Sequence, residues 1–233
     1  MSTIVAVFAH PDDESFICGG TLAKYAEEGH RVVLVCATLG EAGRRMGVPP
    51  IASRESIARL REAELQAACE ALSIERLVLL GLRDKTLEIQ DEVALASRVE
   101  EILQEETPDA IITFHDPLGG HPDHCAIGRV ATRAYQTYTA KLERALVPRL
   151  FYLAWTGDSS VYTVHPQPVQ QVVEISIRDH KKAKLASFRA HKTQSGMNKE
   201  IWKSEKQSLS RLSDTEFFVH SLGPALTEKG TLI

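Results

Sequence analysis

Residues 4–14 read Ile4-Val5-Ala6-Val7-Phe8-Ala9-His10-Pro11-Asp12-Asp13-Glu14. The first six are apolar and rich in β-branched side chains. A run that short and that uniform reads as a strand covered on both faces. It ends at a histidine, a proline and consecutive carboxylates, after which a helix is expected over about 15–28, with Gly29 as its C-terminal cap. A second strand is expected at 31–37. The Gly-, Pro- and Arg-containing segment 38–50 then reads as a loop.

The same alternation continues. A helix is expected over 53–72, with Ile57, Leu60, Ala63, Ala67 and Ala71 at helical spacing. It is followed by a strand at 77–80, a helix at 91–106 and a strand at 110–114. That strand runs into 115–124, and another helix extends to about 140. Later strands are expected at 150–154 and 169–177, with a helix at 179–190, while the remaining residues, about 40 of them, carry no clear pattern. Repeated strand–helix alternation predicts an α/β fold, a Rossmann-like, mostly parallel sheet with helices on both faces. With no internal repeat and no linker, residues 1–233 are expected to form a single domain.

Bulk properties narrow the function. The chain has 233 residues, 43% of them hydrophobic and 25% charged, and a formal net charge of −4. No dense Lys/Arg run marks a nucleic-acid surface, so the balance suits a small substrate and no nucleic acid. The apolar run at 4–9 is too short for a signal peptide or a membrane span. The expectation is a cytoplasmic protein with no membrane anchor. Cys18, Cys36, Cys69 and Cys125 form no C-x-x-C pair and are expected to be reduced packing residues.

Open α/β sheets bind ligands at the carboxyl ends of their strands. The titratable residues gather there: His10, Asp12 and Asp13 after the first strand; Glu41, Arg44 and Arg45 after the second; Arg83 and Asp84 after the third; His115, Asp116, His121, Asp123 and His124 after the fourth. His10-x-x-Asp13 and His121-x-x-His124 each set two potential metal donors three residues apart. Two imidazole nitrogens and one carboxylate form a zinc set with a coordination position left for water, and with no thiolate ligand iron(II) is chemically compatible as well. The side chains of adjacent Asp12 and Asp13 diverge, so one can bind metal while the other handles protons. A carboxylate-rich turn after the first strand argues against a Rossmann-type nucleotide site, which needs bare amides there.

These segments, together with Gly19-Gly20-Thr21, Thr38-Leu39-Gly40-Glu41-Ala42-Gly43, Arg61-Glu62-Ala63-Glu64-Leu65, Leu82-Arg83-Asp84 and Gly120-His121-Pro122-Asp123-His124, resemble the LmbE-like or PIG-L family of metal-dependent N-deacetylases. The likeness covers most of residues 4–135, and Ala190-His191-Lys192-Thr193-Gln194 resembles a stretch near the family's C-terminal end. The resemblance implies His10, Asp13 and His124 as zinc ligands and Asp12 as general base. It implies His121 as the residue that stabilises the oxyanion or helps protonate the leaving amine, and Asp123 as an orienting group. Arg61 and Asp84 match positions that hold sugar hydroxyls, and Arg44 is a candidate for a substrate carboxylate or phosphate. It further implies an N-acetylglucosamine-containing small molecule as substrate, such as the N-acetylglucosaminyl malate of bacillithiol biosynthesis, and a homo-oligomer, trimer or hexamer. The competing expectations are a metal-dependent amidase acting on thiol conjugates and a chito-oligosaccharide deacetylase.

Overall fold

The computed structural model describes residues 1–163 and 169–233. Its strands are β1 (Thr3–Phe8), β2 (Arg31–Thr38), β3 (Arg76–Leu82), β4 (Ala110–Thr113), β5 (Arg149–Ala154), β6 (Gln171–Ser176) and β7 (Thr215–Leu222). Its helices are α1 (Asp13–Ile17), α2 (Gly19–Glu27), α3 (Ile57–Leu72), α4 (Glu92–Glu106), α5 (Pro122–Thr139), α6 (Ser160–Thr163), α7 (Lys181–Ala190), α8 (Lys192–Ser195) and α9 (Glu205–Leu209).

Among the described residues, seven strands join one sheet in the order β3-β2-β1-β4-β5-β7-β6. The first five run parallel, while β7 is antiparallel to both β5 and β6. From Ile4 to Phe8, β1 is at most 1% exposed, because α2, α3 and α7 pack together over one face of the sheet and α4 and α5 over the other. Burying each such Val, Ile or Phe side chain contributes about 1.5–3 kcal/mol. The chain leaves β1 toward β2 on one side and returns as β4 on the other, so β1 and β4 flank the topological switch point, where open sheets form a crevice. Among the described residues, no helix is long and apolar enough to cross a membrane.

Three expectations are corrected. The helix expected over 15–28 is two helices broken at Cys18. The break is stitched from the far end of the chain: Glu216 accepts from the Gly20 and Thr21 amides, 3.0 and 2.7 Å, and pairs with Lys184, whose ammonium donates to the Ile17 carbonyl at 3.2 Å. One buried ion pair thus satisfies groups that both helix ends would leave unpaired. Gly20 is required here because a Cβ would lie 2.6 Å from Ile177. Second, α3 starts at Ile57, and its buried face is Ile57, Arg61, Glu64, Leu65, Ala68, Cys69 and Leu72. Ala63 and Ala67 are exposed. The expected stripe followed alanines, which signal burial weakly, and passed over Arg61 and Glu64, which are buried because they are hydrogen-bonded. Third, α5 begins at Pro122, so His124 lies in its first turn. The tail without a clear pattern contains α8, α9 and β7, and β7 inserts between β5 and β6.

Candidate active site

Two strand ends build the site. After β1 the chain turns at His10-Pro11-Asp12, with Asp12 at φ +114° and ψ −25°, and starts α1 at Asp13. After β4 it reaches α5 through His121, whose Nδ1 accepts from the Asp123 amide at 3.1 Å as an N-cap. Pro122 occupies the first helical position, where its missing N–H costs nothing.

These turns bring together side chains more than 100 residues apart. His10 Nδ1 lies 3.3 Å from His124 Nε2. His124 Nε2 lies 3.2 Å from Asp13 Oδ1, and His10 Nδ1 lies 3.8 Å from Asp13 Oδ2. The outward nitrogen of each ring is occupied. His10 Nε2 faces Asp84 Oδ1 at 3.1 Å and Asp123 Oδ2 at 3.2 Å, and His124 Nδ1 donates to the Gly119 carbonyl at 2.8 Å. His124 also stacks on Phe114, with ring centroids 3.9 Å apart. Anchored rings whose inner nitrogens converge on a carboxylate are how proteins present imidazoles to a cation. The ring of His121 stands edge-on to His10, and nitrogens of His10, His121 and His124 fall within 4.8 Å of one another. Donor atoms of His10, Asp84 and Asp123 converge equally closely. Those two carboxylates are already taken up in hydrogen bonds, Asp84 from the Ala42 amide and Asp123 from the Lys85 and Leu87 amides, so they act on His10.

Charge dominates this crevice. Burial alone would lower the His10 imidazole, but its hydrogen bonds to Asp123 and Asp84 push it up to about 10. Burial pushes Asp12 up to about 7, against the pull of Arg61 and with the help of Asp13. Asp13 goes the other way: burial opposes it, yet His124 holds it down at about 2. Four carboxylates around two imidazoles form a cavity that takes up positive charge, as protons or as a divalent cation, and the donor set suits zinc or iron(II). His121 is shifted below its ordinary value by burial and by the neighbouring His10 and His124. With Nδ1 accepting from Asp123, it is a neutral ring whose proton sits on Nε2.

The residues enclose a pocket of about 550 Å³ lined by His10, Asp12, Asp13, Arg61, Asp84, His121 and His124, with Phe16, Ile17, Gly43, Arg45, Lys85, Trp155 and Gln194 completing the wall. A larger depression of about 910 Å³ sits among Asp109, Tyr138, Arg144 and Arg149, at the opposite ends of β4 and β5, and lacks this convergence of donors. Arg61 lines the pocket yet is committed: it donates to the Gly40 and Pro11 carbonyls and to Asp12 Oδ2 at 3.1 Å. Gly40, at φ +62°, leaves the space for it, since a Cβ there would meet the guanidinium at 1.8 Å. Arg44 is exposed and outside the pocket wall, which its neighbour Arg45 joins instead. His115 packs edge-on against Tyr152 and does not line the pocket. Sequence reasoning missed Trp155, which comes from a segment with no chemical signature, and gave no role to Gln194, although it closes the family-like stretch Ala190–Gln194. It also missed the buried contact between Glu14 Oε1 and His191 Nε2, at 2.6 Å.

The sequence profile of the PIG-L family, described as GlcNAc-PI de-N-acetylase, matches residues 5–135. The chain belongs to the PIG-L family. PIG-L proteins are metal-dependent deacetylases, in keeping with the cation-seeking cluster. A Bacillus cereus relative named "Probable N-acetyl-alpha-D-glucosaminyl L-malate deacetylase 2" is 39% identical over 82% of this chain and 83% of its own. A Thermobispora bispora relative named 1D-myo-inositol 2-acetamido-2-deoxy-alpha-D-glucopyranoside deacetylase is 32% identical over 94% of this chain and 88% of its own. The crystal structure of the conserved protein TT1542 from Thermus thermophilus is 26% identical, with a TM-score of 0.68, covering 97% of this chain and 98% of that one.

Proposed function

We propose that this protein is a zinc-dependent N-deacetylase that hydrolyses the acetamide of a small N-acetylglucosamine glycoside, with N-acetylglucosaminyl malate as its preferred substrate. The observation that carries the chemistry is the convergence of His10 Nδ1, His124 Nε2 and the Asp13 carboxylate beside a second, largely buried carboxylate, Asp12. The two named relatives support the sugar, because both names carry an acetylated glucosamine and differ in what is attached to it. The greater identity of the malate enzyme favours malate.

His10, Asp13 and His124 would hold the ion. A divalent ion there supplies Lewis-acid polarisation of the acetamide carbonyl and makes water nucleophilic near neutral pH. Asp12, raised toward neutrality, accepts a proton from the attacking water. As hydroxide adds to the carbonyl carbon, His121 donates its Nε2 hydrogen to the developing oxyanion. Donors of this kind contribute about 2.7–4 kcal/mol. When the C–N bond breaks, Asp12 returns its proton to the departing nitrogen, leaving the free amine and acetic acid, which gives up its own proton to become acetate. A neutral His121 would have to become an imidazolate to do this, so Asp12 is the proton carrier. Asp84 and Asp123 orient His10, and Arg61 orients Asp12, while also bordering the sugar.

The test combines metal analysis with acetate release from N-acetylglucosaminyl malate, the myo-inositol glycoside and diacetylchitobiose. Bound zinc and fastest turnover of the malate glycoside are expected. Metal without acetate from any of the three overturns the deacetylase reading.

A further inference from the structure

We propose that Glu14 and His191 are positioning residues that hold Asp12 in the backbone conformation its carboxylate needs for proton transfer. The inference rests on Asp12 being the base. Among the described residues, four that are not glycine have positive φ. Ser73, Lys85 and Thr107 fall at 56°, 64° and 44°, in or beside the small left-handed well, and Ser73 and Thr107 are ordinary helix C-caps. Asp12, at 114°, lies outside that well. Residues held so far from a favoured conformation persist only where surrounding contacts enforce it.

Those contacts are specific. The Asp12 amide donates to Glu14 Oε2 at 3.0 Å. The other oxygen, Glu14 Oε1, accepts from Ser15 Oγ at 2.5 Å and from His191 Nε2 at 2.6 Å. Side-chain exposure is 1% for Glu14 and 0% for His191, and neither lines the pocket. A carboxylate sealed in the interior persists through its partners. Here the partner is 177 residues away, at the junction of α7 and α8. That junction is itself pinned, since Glu64 accepts from the Thr193 amide and hydroxyl at 2.8 and 2.6 Å. Arg61 grips the other side of the turn through the Pro11 carbonyl. The C-terminal segment therefore reaches the base without touching substrate: α8 braces His191, His191 braces Glu14, and Glu14 holds the Asp12 amide.

The test uses Glu14→Gln, which removes the charge and leaves one accepting oxygen where the carboxylate offers two, and His191→Gln, each alone and in an Asp12→Asn background. Misplacement of a reacting group by about 1 Å can cost 10²-fold. Each single variant is therefore expected to lose on the order of 10- to 100-fold in kcat, with KM within about 2-fold and metal content unchanged. In the Asp12→Asn background neither change should lower the residual rate further, because their effect passes through Asp12. A purely structural ion pair would lower Tm and leave kcat within about 2-fold, and that result overturns the proposal. So does a loss of equal size in the Asp12→Asn background. Failure of the base assignment reads differently: Asp12→Asn alone would then keep full activity.

Discussion

At the end of β1, His10-Pro11-Asp12 passes through a strained residue before α1 begins. At the end of β4, His121-Pro122-Asp123 enters α5 with extended φ and ψ of −140° and 143° at the cap and helical geometry thereafter. The strings match, but the physics differs. The second turn is an ordinary helix start: a side-chain cap, a proline at the first position and a carboxylate in the first turn, each favourable by itself. The first turn has an N-cap residue with no side-chain cap, adjacent buried carboxylates and an amide held by Glu14. Local preference builds one motif, while tertiary contacts impose the other. The imposed one carries the group assigned to proton transfer, as expected where strain is retained at a functional site.

The largest difference between the turns should appear in turnover. Asp12→Asn keeps the shape and removes the base, so kcat should fall about 10²- to 10⁴-fold with metal retained. Steady-state rates paired with metal analysis check this, and a rate within tenfold of wild type would remove Asp12 from proton transfer. On the second turn, His121→Ala should lower kcat about 10²- to 10³-fold, again with metal bound. If metal is lost instead, His121 belongs to the ligand set with His10 and His124.

Asp123 acts one step further out. Its carboxylate holds His10 Nε2 and the Lys85 and Leu87 amides. Removing such an outer partner typically costs 10–100-fold in metal affinity or activity. Asp123→Asn is therefore expected to weaken zinc by about 10-fold, measured by competition with a chelating dye. Asp84, bound to the same nitrogen, limits the loss.

Much of this geometry was readable from residue order. β1, β2 and β4 are uniform apolar runs because both of their faces are covered, and the donors stand where those runs end. What escaped depends on distant partners. The break between α1 and α2 is made by Glu216 and Lys184, 196 and 167 residues downstream of their partners. The buried face of α3 includes Arg61 and Glu64, which no apolar pattern reveals. His191 is meaningful only beside Glu14. Arg44 and Arg45 are chemically equivalent neighbours in a loop, and only the fold separates the one at the pocket from the one outside.

The pH profile sharpens the contrast at moderate size. Asp12 must be deprotonated to act, so kcat/KM falls as pH drops through its pKa, by at most tenfold per unit. Burial pushes that carboxyl to about 7. A neighbouring divalent ion favours the charged form and moves it down. The acid limb of the zinc enzyme should therefore lie below about 7, and a limb above that value contradicts the assignment.

The smallest effect isolates backbone strain from side-chain chemistry. Asp12→Ala and Asp12→Gly both delete the carboxylate and the contact with Arg61, so their difference in stability reports mainly on φ. Glycine adopts φ +114° without a Cβ penalty, and alanine does not. The glycine variant should be more stable than the alanine variant by about 1–3 kcal/mol in denaturant titrations. At Asp123, inside the first turn of α5, the order should reverse, with glycine less stable by up to about 1 kcal/mol because it gains backbone freedom on unfolding. Equal stability at Asp12 would mean that the turn relaxes without its side chain. The strain would then come from the carboxylate's own contacts rather than from Glu14 holding the amide.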